Sequence, residues 1–272
     1  MQNDRLRRLA TRIRMGALTG VYHGKSGHPG GSLSIADILA VLYGEELRVD
    51  PARPDDPDRD RFVLSKGHCA PALYAALAES GFFDPAELAT LRHIDSRLQG
   101  HPDMKGVPGV DMSTGSLGQG ISAACGMALS AKLQNKSFRV YTIVGDGESE
   151  EGQVWEAAMF AAHYHLDNLC LFLDLNGLQI DGPITEVMDP TPHDQKFRAF
   201  GWHVVTIDAH DYDAIRAALA EAKEVKGKPT AVIARSIKGK GVSYMENACE
   251  WHGKAPDAAQ YEAAMAELRA EL

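Results

Sequence analysis

The sequence lacks the features that mark several large classes of protein. No apolar stretch approaches the ~20 residues that a membrane-spanning helix needs. The net charge is −9, whereas a nucleic-acid surface requires a basic patch. The cysteines form no C-x-x-C pair, and three of the four (Cys69, Cys125, Cys170 and Cys249) lie in apolar segments. We therefore predict a cytoplasmic protein with reduced thiols that binds neither nucleic acid nor membranes.

The apolar segments alternate between strand-like and helix-like patterns along all 272 residues. Short runs bounded by Gly, Pro or polar residues predict strands at 61–65, 139–144, 168–175, 202–207 and 229–235. Apolar residues at helical spacing predict helices at 6–22, 34–47, 70–80, 85–93, 121–133, 153–164, 193–200, 212–225 and 257–270. This alternation predicts the α/β class, with a single doubly wound parallel sheet flanked by helices. We predict one domain over 1–272, to which the last helix, 257–270, is an appendage.

Between the predicted elements, Gly and Pro mark the loops. Three Gly and a Pro at 25–32 predict no regular element there, and Ser32 or Ser34 is expected to cap the following helix. A second loop is expected at 184–192. Because ligands of parallel sheets bind outside the carboxyl ends of the strands, the residues that follow the strands are the first candidates for a site.

Two such residues suggest a metal. Asp146 lies between two glycines directly after the strand 139–144, and Asn176 follows the next strand, 30 positions later. Carboxylate and amide oxygens are ligands that Mg²⁺ accepts, and Mg²⁺ commonly keeps phosphate oxygens in its shell. The glycines allow a diphosphate to approach the backbone. By itself, G-D-G fits equally well a tight strand-to-helix turn that Asp146 caps.

The order strand, G-D-G, helix, strand, Asn resembles the fingerprint of thiamine-diphosphate enzymes. Here Asp174 and Leu175 precede a single Asn176, which is the transketolase-like form of that motif.

Four of the eleven histidines stand in Gly/Pro loops: His28, His68, His101 and His252. If these loops meet at one edge of the sheet, their imidazoles can bind phosphate or sugar hydroxyls and move protons near neutral pH. We assign no role to the other seven, His210 and His193 among them.

The surroundings of these histidines carry a second resemblance. Between about Gly20 and Pro256 the chain contains, in order, SGHPGGSLS, RDRFVLSKGH, GHP, STGSLGQG, GDG, LNGLQIDG and EWHGKAP. This succession is similar to the amino-terminal, diphosphate-binding domain of transketolase. The resemblance implies a thiamine-diphosphate-binding fold and the transfer of a two-carbon ketol unit from a ketose (phosphate) to an aldose (phosphate), as in the pentose phosphate pathway.

The resemblance also implies roles for individual residues. The ligands of Mg²⁺, or of Ca²⁺ or Mn²⁺ in its place, would be Asp146, Asn176 and the carbonyl of Leu178. The diphosphate of the cofactor would be contacted by Gly147, His68, Asn176 and His252. The two cofactor rings would rest on the backbone of the turn Gly115-Ser116-Leu117, where Ser116 replaces a frequent Pro of the family.

Further roles concern the substrate. The donor-sugar pocket would be lined by His28, His101 and His252. Glu151 matches a glutamate that faces the partner domain and relays a proton, although an acidic residue is also favoured at a helix N-terminus. Lys238 and Lys240 would help to attract a phosphosugar.

The resemblance implies that one catalytic group is supplied by another chain. In transketolase-like enzymes a glutamate that activates the aminopyrimidine comes from a second, pyrimidine-binding domain, and no second α/β unit follows the WHGK block here. We therefore predict the amino-terminal subunit of a split transketolase. It would be active only in a heterodimer or an α₂β₂ heterotetramer with a separate carboxy-terminal subunit.

Two other functions remain open at this point. The thiamine-binding subunit of a 2-oxo acid dehydrogenase shares G-D-G and Asn but lacks the four-histidine set. A non-catalytic scaffold subunit of the same fold would be expected to lose ligands that are all present here. A transketolase acting on sulfo-sugars or forming apiose derivatives would look the same in this chain, because the missing half helps to select the acceptor.

Overall fold

The computed structural model describes residues 2–272. Within them, one parallel sheet is formed by the strands β1 (Arg61–Leu64), β2 (Val140–Gly145), β3 (Leu169–Leu175), β4 (His203–Asp208) and β5 (Thr230–Arg235). The spatial order is β1-β2-β3-β5-β4, and every pair of neighbours is parallel. Each of these strands lies within a residue or two of a predicted one.

Helices cover both faces of the sheet. They are α1 (Gln2–Gly24), α2 (Pro29–Ser34), α3 (Ala36–Val41), α4 (Ala70–Glu79), α5 (Gln119–Leu133), α6 (Gly152–His163), α7 (Ile184–Val187), α8 (His193–Ala199), α9 (Tyr212–Glu224) and α10 (Ala258–Arg269). Short 3₁₀-helices lie at Gly67–Cys69, Pro85–Thr90, Gly147–Glu150 and Cys249–His252, and a π-turn lies at Leu42–Glu46. The prediction of a doubly wound parallel sheet is confirmed.

Alternate residues of the central strands point into two separate cores. Tyr141, Ile143 and Phe172 pack with α1, α3, α4 and α9, whereas Val144 and Leu171 pack with α5, α6 and α8. Buried strands that are apolar on both faces are typical of a parallel sheet. Cys69, Cys125 and Cys170 are buried free thiols, and the free thiol of Cys249 is partly exposed.

Several boundaries differ from the predicted ones. The segment 25–32 was predicted to be irregular, but Pro29 opens the short helix α2, because a proline needs no hydrogen-bond partner in a first turn. The predicted helix 34–47 is the short α3 followed by the π-turn. Neither Ser32 nor Ser34 caps it, because both lie inside α2 and the N-cap position of α3 is occupied by Ile35.

Two further segments also depart from expectation. The predicted helix 85–93 is a 3₁₀ turn that ends at Thr90, and the predicted loop 184–192 contains α7. The last helix, α10, packs on α1, where Leu268 is buried beside Leu18 and the rings of Tyr22 and Tyr261 stack 4.1 Å apart.

The sheet brings the carboxyl ends of β1, β2, β3 and β5 to one edge. The segments that follow them carry Lys66 and His68, Asp146, Asn176, and Lys238. No helix within residues 2–272 is long and apolar enough to cross a membrane.

Candidate active site

A cavity of about 310 Å³ opens at this edge of the sheet. Nine of the predicted site residues line it: His28, His68, Gly115, Leu117, Asp146, Gly147, Asn176, Leu178 and His252. Of the remaining three, His101 borders it through His28, with ring centroids 6.3 Å apart. Ser116 and Glu151 are exposed side chains that do not line it.

Hydrogen bonds from backbone amides hold the side chains of the predicted metal ligands Asp146 and Asn176 in place. The Asp146 carboxylate accepts hydrogen bonds from the amides of Gly147 (2.8 Å) and Gly177 (2.5 Å), so it joins the ends of β2 and β3. Asn176 accepts from the amide of Leu178 at 3.1 Å. Gly177 has a φ of +78°, which brings the chain back toward Asp146 and which L side chains seldom adopt.

The chemistry of this donor set fits a hard cation. Asp146 is 3% exposed, and burial, reinforced by the nearby charge of Asp174, raises the pKa of its carboxyl group from 3.8 to about 6. Residues 2–272 contain no group of three or more His, Cys, Asp and Glu side chains that could hold a metal. A cation here would therefore be held by one carboxylate together with amide and carbonyl oxygens, which suits Mg²⁺ or Ca²⁺ better than zinc.

Asp174 orients Asn176 from beneath the cavity. Its carboxylate accepts from the Asn176 amide (2.9 Å), the Lys66 ammonium (2.6 Å), and the hydroxyls of Ser34 and Ser236. Burial disfavours the charge of Asp174, but the Lys66 ammonium outweighs this effect and lowers its pKa. Because the Asn176 nitrogen is engaged by Asp174, its oxygen faces the Leu178 side.

The four loop histidines meet in one cluster. The ring of His28 lies 5.2 Å from that of His68 and 5.6 Å from that of His252, and His68 stacks on His252 at 5.1 Å. Burial lowers the pKa of His28 to about 4 and of His252 to about 3, and it lowers the pKa values of His68 and His101 as well. These imidazoles are therefore neutral near pH 7, and each can both donate and accept a hydrogen bond.

One cation that lines the cavity, and one that lies near two of its histidines, had a weak signal or none in the sequence. Lys238, 1% exposed, donates to the carbonyl of Leu178 (2.8 Å) and to Nδ1 of His252 (2.9 Å), and burial lowers its pKa. From the sequence, Lys238 was expected only to help attract a phosphosugar. Arg92 lowers the pKa values of His28 and His101, and its Nε is buried without a hydrogen-bond partner.

The three glutamates after G-D-G have different environments. Glu148 is buried and accepts from Ser65 Oγ (2.6 Å) and from the amides of Gly118 and Gly145, so it braces the turn. Glu150 accepts from Gln179 at 2.6 Å. Glu151 is exposed at the start of α6, and its side chain makes no capping hydrogen bond. Its proton-relay role stays a prediction.

The Gly115-Ser116-Leu117 turn lies against the turn that carries His68. A Cβ added to Gly67 would lie 2.7 Å from the Gly115 amide nitrogen, so only glycine permits this approach of two backbones. The turn therefore forms one wall of the cavity through its backbone, while Leu117 remains 37% exposed.

A family profile described as "Transketolase, thiamine diphosphate binding domain" matches residues 6–271. The chain belongs to this transketolase family. It is 50% identical to the 6-deoxy-6-sulfo-D-fructose transketolase subunit SqwG of Clostridium sp. (strain MSTE9), over 90% of this chain and 89% of that protein. It is 42% identical to one of the subunits of the apulose-4-phosphate transketolase of Phocaeicola vulgatus, over 91% of this chain and 88% of that protein.

The fold comparison agrees with the family. Transketolase from Leishmania mexicana superposes with a TM-score of 0.91 at 35% identity, covering 97% of this chain and 41% of that one. The chain spans 40% of the length of the human transketolase that it matches. The prediction of an N-terminal, thiamine-diphosphate-binding transketolase subunit is thereby confirmed, and the 2-oxo acid dehydrogenase and scaffold alternatives are not favoured.

Proposed function

We propose that this transketolase subunit holds the diphosphate and the metal ion of thiamine diphosphate, and lines one side of the donor-sugar pocket. The observation that carries the proposal is the convergence of Asp146, Asn176, Lys238 and the neutral histidine cluster on one cavity at the carboxyl edge of the sheet. When bound, thiamine diphosphate supplies a carbanion and an electron sink for cleavage of a ketose.

The floor of the cavity suits a metal-bound diphosphate. Asp146, the Asn176 amide oxygen and the Leu178 carbonyl would hold the Mg²⁺. The ammonium of Lys238 rests 2.8 Å from that carbonyl, which supports the carbonyl as a ligand for a cation. Lys238 makes no ion pair with any described residue, so an anionic diphosphate would compensate its buried charge.

The histidines at the mouth suit a polyhydroxylated donor. His28 Nδ1 is buried without a hydrogen-bond partner among residues 2–272, which leaves it free to bind a ligand hydroxyl. We assign His28, His101 and His252 to the donor sugar, where a neutral imidazole binds a hydroxyl and can accept its proton. His68 lies deeper, beside Lys66, and is assigned to the diphosphate.

The surface around the cavity suits a protein partner. Two exposed apolar side chains line the cavity, Leu117 (37% exposed) and Ile180 (60%). Two more, Val187 (40%) and Met188 (65%), follow Ile180 within eight residues of the chain. Exposed apolar groups beside a ligand pocket favour a surface that another chain covers. We propose that a separate carboxy-terminal subunit docks here, supplies the aminopyrimidine-activating glutamate and contacts Glu151.

The substrate class that we propose is a ketose whose far end carries an anion. Arg92 is a cation whose charge, after burial, contributes to the lowered pKa values of His28 and His101, and its Nε is buried without a hydrogen-bond partner among residues 2–272. A phosphate and a sulfonate share the chemistry that an arginine recognises. The two relatives of similar length are named for a sulfo-sugar and for apulose 4-phosphate.

The test is an assay of the purified chain with Mg²⁺ and thiamine diphosphate, alone and with a separately produced carboxy-terminal transketolase subunit. Fructose 6-phosphate and 6-deoxy-6-sulfofructose serve as parallel donors with one aldose phosphate acceptor. We expect ketol transfer only in the two-chain reaction. Full turnover by this chain alone, or none with either donor in the assembled complex, would contradict the proposal.

A further inference from the structure

A second buried polar cluster lies behind the cavity, at the carboxyl end of β4. The Asp37 carboxylate accepts from Arg14 (2.5 Å), from Nδ1 of His210 (2.7 Å) and from the hydroxyl of Tyr212 (2.6 Å). The side chains of Arg14 and Asp37 are each 5% exposed, and that of His210 is 14% exposed. These residues border a separate cleft of about 700 Å³ and do not line the site described above.

The second ring nitrogen of His210 has a partner on a different segment. The amide of Ile237 donates to Nε2 at 3.0 Å. Because Nε2 accepts this bond, the ring is the neutral tautomer with its proton on Nδ1, donated to Asp37. Asp37 thus selects the tautomer that binds the Ile237 amide.

Ile237 immediately precedes Lys238, whose ammonium reaches the candidate active site. Past Lys238 the segment is tied by its backbone, since the Gly239 amide donates to the Gly30 carbonyl at 2.9 Å and the Lys238 carbonyl accepts from the Asn247 amide at 2.9 Å. Ahead of Lys238, the side chain of His210 holds the Ile237 amide. The hydrogen bonds of His210 to Asp37 and to the Ile237 amide therefore connect Asp37 to the residue that immediately precedes Lys238.

We propose that His210 is a positioning residue for Lys238: held by Asp37, it anchors the Ile237 amide and so sets the place of the ammonium that meets the cofactor diphosphate. This inference rests on the proposed function, because it takes the diphosphate as the ligand of Lys238.

Two amide substitutions isolate the proposed contact. His210→Asn keeps a polar group beside Asp37 but is too short to accept from Ile237, whereas the longer His210→Gln can. Titration calorimetry of the purified chain with magnesium pyrophosphate, and separately with Mg²⁺ and thiamine diphosphate, measures the dissociation constants. We expect His210→Asn to weaken both ligands roughly tenfold and His210→Gln to recover most of that loss, by analogy with outer-shell contacts of metal ligands.

The matched control is His203→Asn. His203 also pairs with a carboxylate, that of Glu221 at 2.6 Å. It lies at the amino end of β4, whereas the cavity lies at the carboxyl ends of the strands. We expect its substitution to leave both dissociation constants unchanged. Equal losses in the His203 and His210 variants would mean a general effect of destabilisation and would overturn the inference.

A double-mutant cycle tests whether His210 acts through Lys238. In a Lys238→Met background, His210→Asn should weaken pyrophosphate no further, because the ammonium that it positions is absent. An undiminished tenfold loss in that background would overturn the inference.

Hydrogen exchange at the Ile237 amide tests the anchor without any ligand. We expect faster exchange in His210→Asn and near-wild-type protection in His210→Gln; unchanged protection in both variants would overturn the inference. Failure of the wild-type chain to bind either ligand would instead contradict the proposed function, so the two failures are distinguishable.

Discussion

Lys66 and Asp174 form an ion pair of 2.6 Å in which the side chains are 2% and 0% exposed. The pair joins the turn after β1 to the end of β3, directly under the cavity. Burial opposes the charge of Lys66, but Asp174 outweighs it and raises the lysine pKa. Each partner therefore keeps its charge in this buried position only because the other is charged.

Lys66→Met should destabilise the chain severely. The substitution leaves the Asp174 carboxylate buried without its cation, which typically costs about 3–5 kcal/mol. The loss is measured as the difference in the free energy of unfolding between wild type and variant, obtained by chemical denaturation. The control is Lys223→Met, which removes an ion pair to Glu46 whose lysine is 45% exposed, and which should cost less than about 1 kcal/mol. Similar losses in the two variants would contradict the coupling of Lys66 to Asp174.

Asp146→Asn should change how stability depends on pH. The folded-state pKa of Asp146 is raised from 3.8 to about 6, so between these values the folded chain retains a proton that the unfolded chain has lost. The contribution of Asp146 to the free energy of unfolding therefore falls as the pH rises through the range between the two pKa values. The fall is about 2 kcal/mol between pH ~4.5 and ~7.5. We expect the wild-type free energy of unfolding, relative to that of the variant, to fall by this amount in metal-free buffer.

The same variant tests the metal site. Mg²⁺ with thiamine diphosphate should raise the melting temperature of the wild-type chain at pH ~7.5 and leave that of Asp146→Asn unchanged, because the variant lacks the anionic ligand. An identical pH dependence in the two proteins, or an equal ligand-induced shift, would contradict the assignment of Asp146.

His28→Ala and His68→Ala should separate the sugar from the cofactor. In the two-chain enzyme, we expect His28→Ala to lower kcat/KM for the donor ketose roughly 10²-fold or more while the thiamine diphosphate affinity is kept. His68→Ala should instead weaken the cofactor roughly tenfold. His203→Ala is the control for both. Steady-state kinetics and calorimetry provide the two readouts, and identical profiles for the two variants would contradict the division of roles.

Ile180→Asp should weaken assembly with the carboxy-terminal subunit. Ile180 is 60% exposed at the cavity rim, so a charge there should leave the isolated chain folded but oppose its burial by a partner. Analytical ultracentrifugation of the two chains mixed together should show at least a tenfold weaker complex. Leu133→Asp is the control: Leu133 is 75% exposed at the carboxyl end of α5, away from the rim. Undisturbed assembly of the Ile180 variant would argue against this docking surface.

The sequence alone was sufficient to predict the sheet and to name most of the residues that line the candidate site. The strands are short runs that are apolar on both faces, so local composition identifies them, and parallel pairing then requires that Asp146 and Asn176 end at the same edge. That His28, His68 and His252 belong to one site was expected from the resemblance of their Gly/Pro loops to blocks of transketolase. The short helix α2 was missed because three glycines outweighed the one proline that starts it.

Only the tertiary structure decided how these groups are held and charged. Nothing local to Asp174 indicates that it binds Lys66 and Asn176, and nothing near His210 indicates a link to Lys238, because these contacts depend on how separate segments pack together. The neutral histidines and the raised pKa of Asp146 likewise follow from burial. Burial depends on what the whole fold packs around a group, which residue types and their spacing along the chain do not specify.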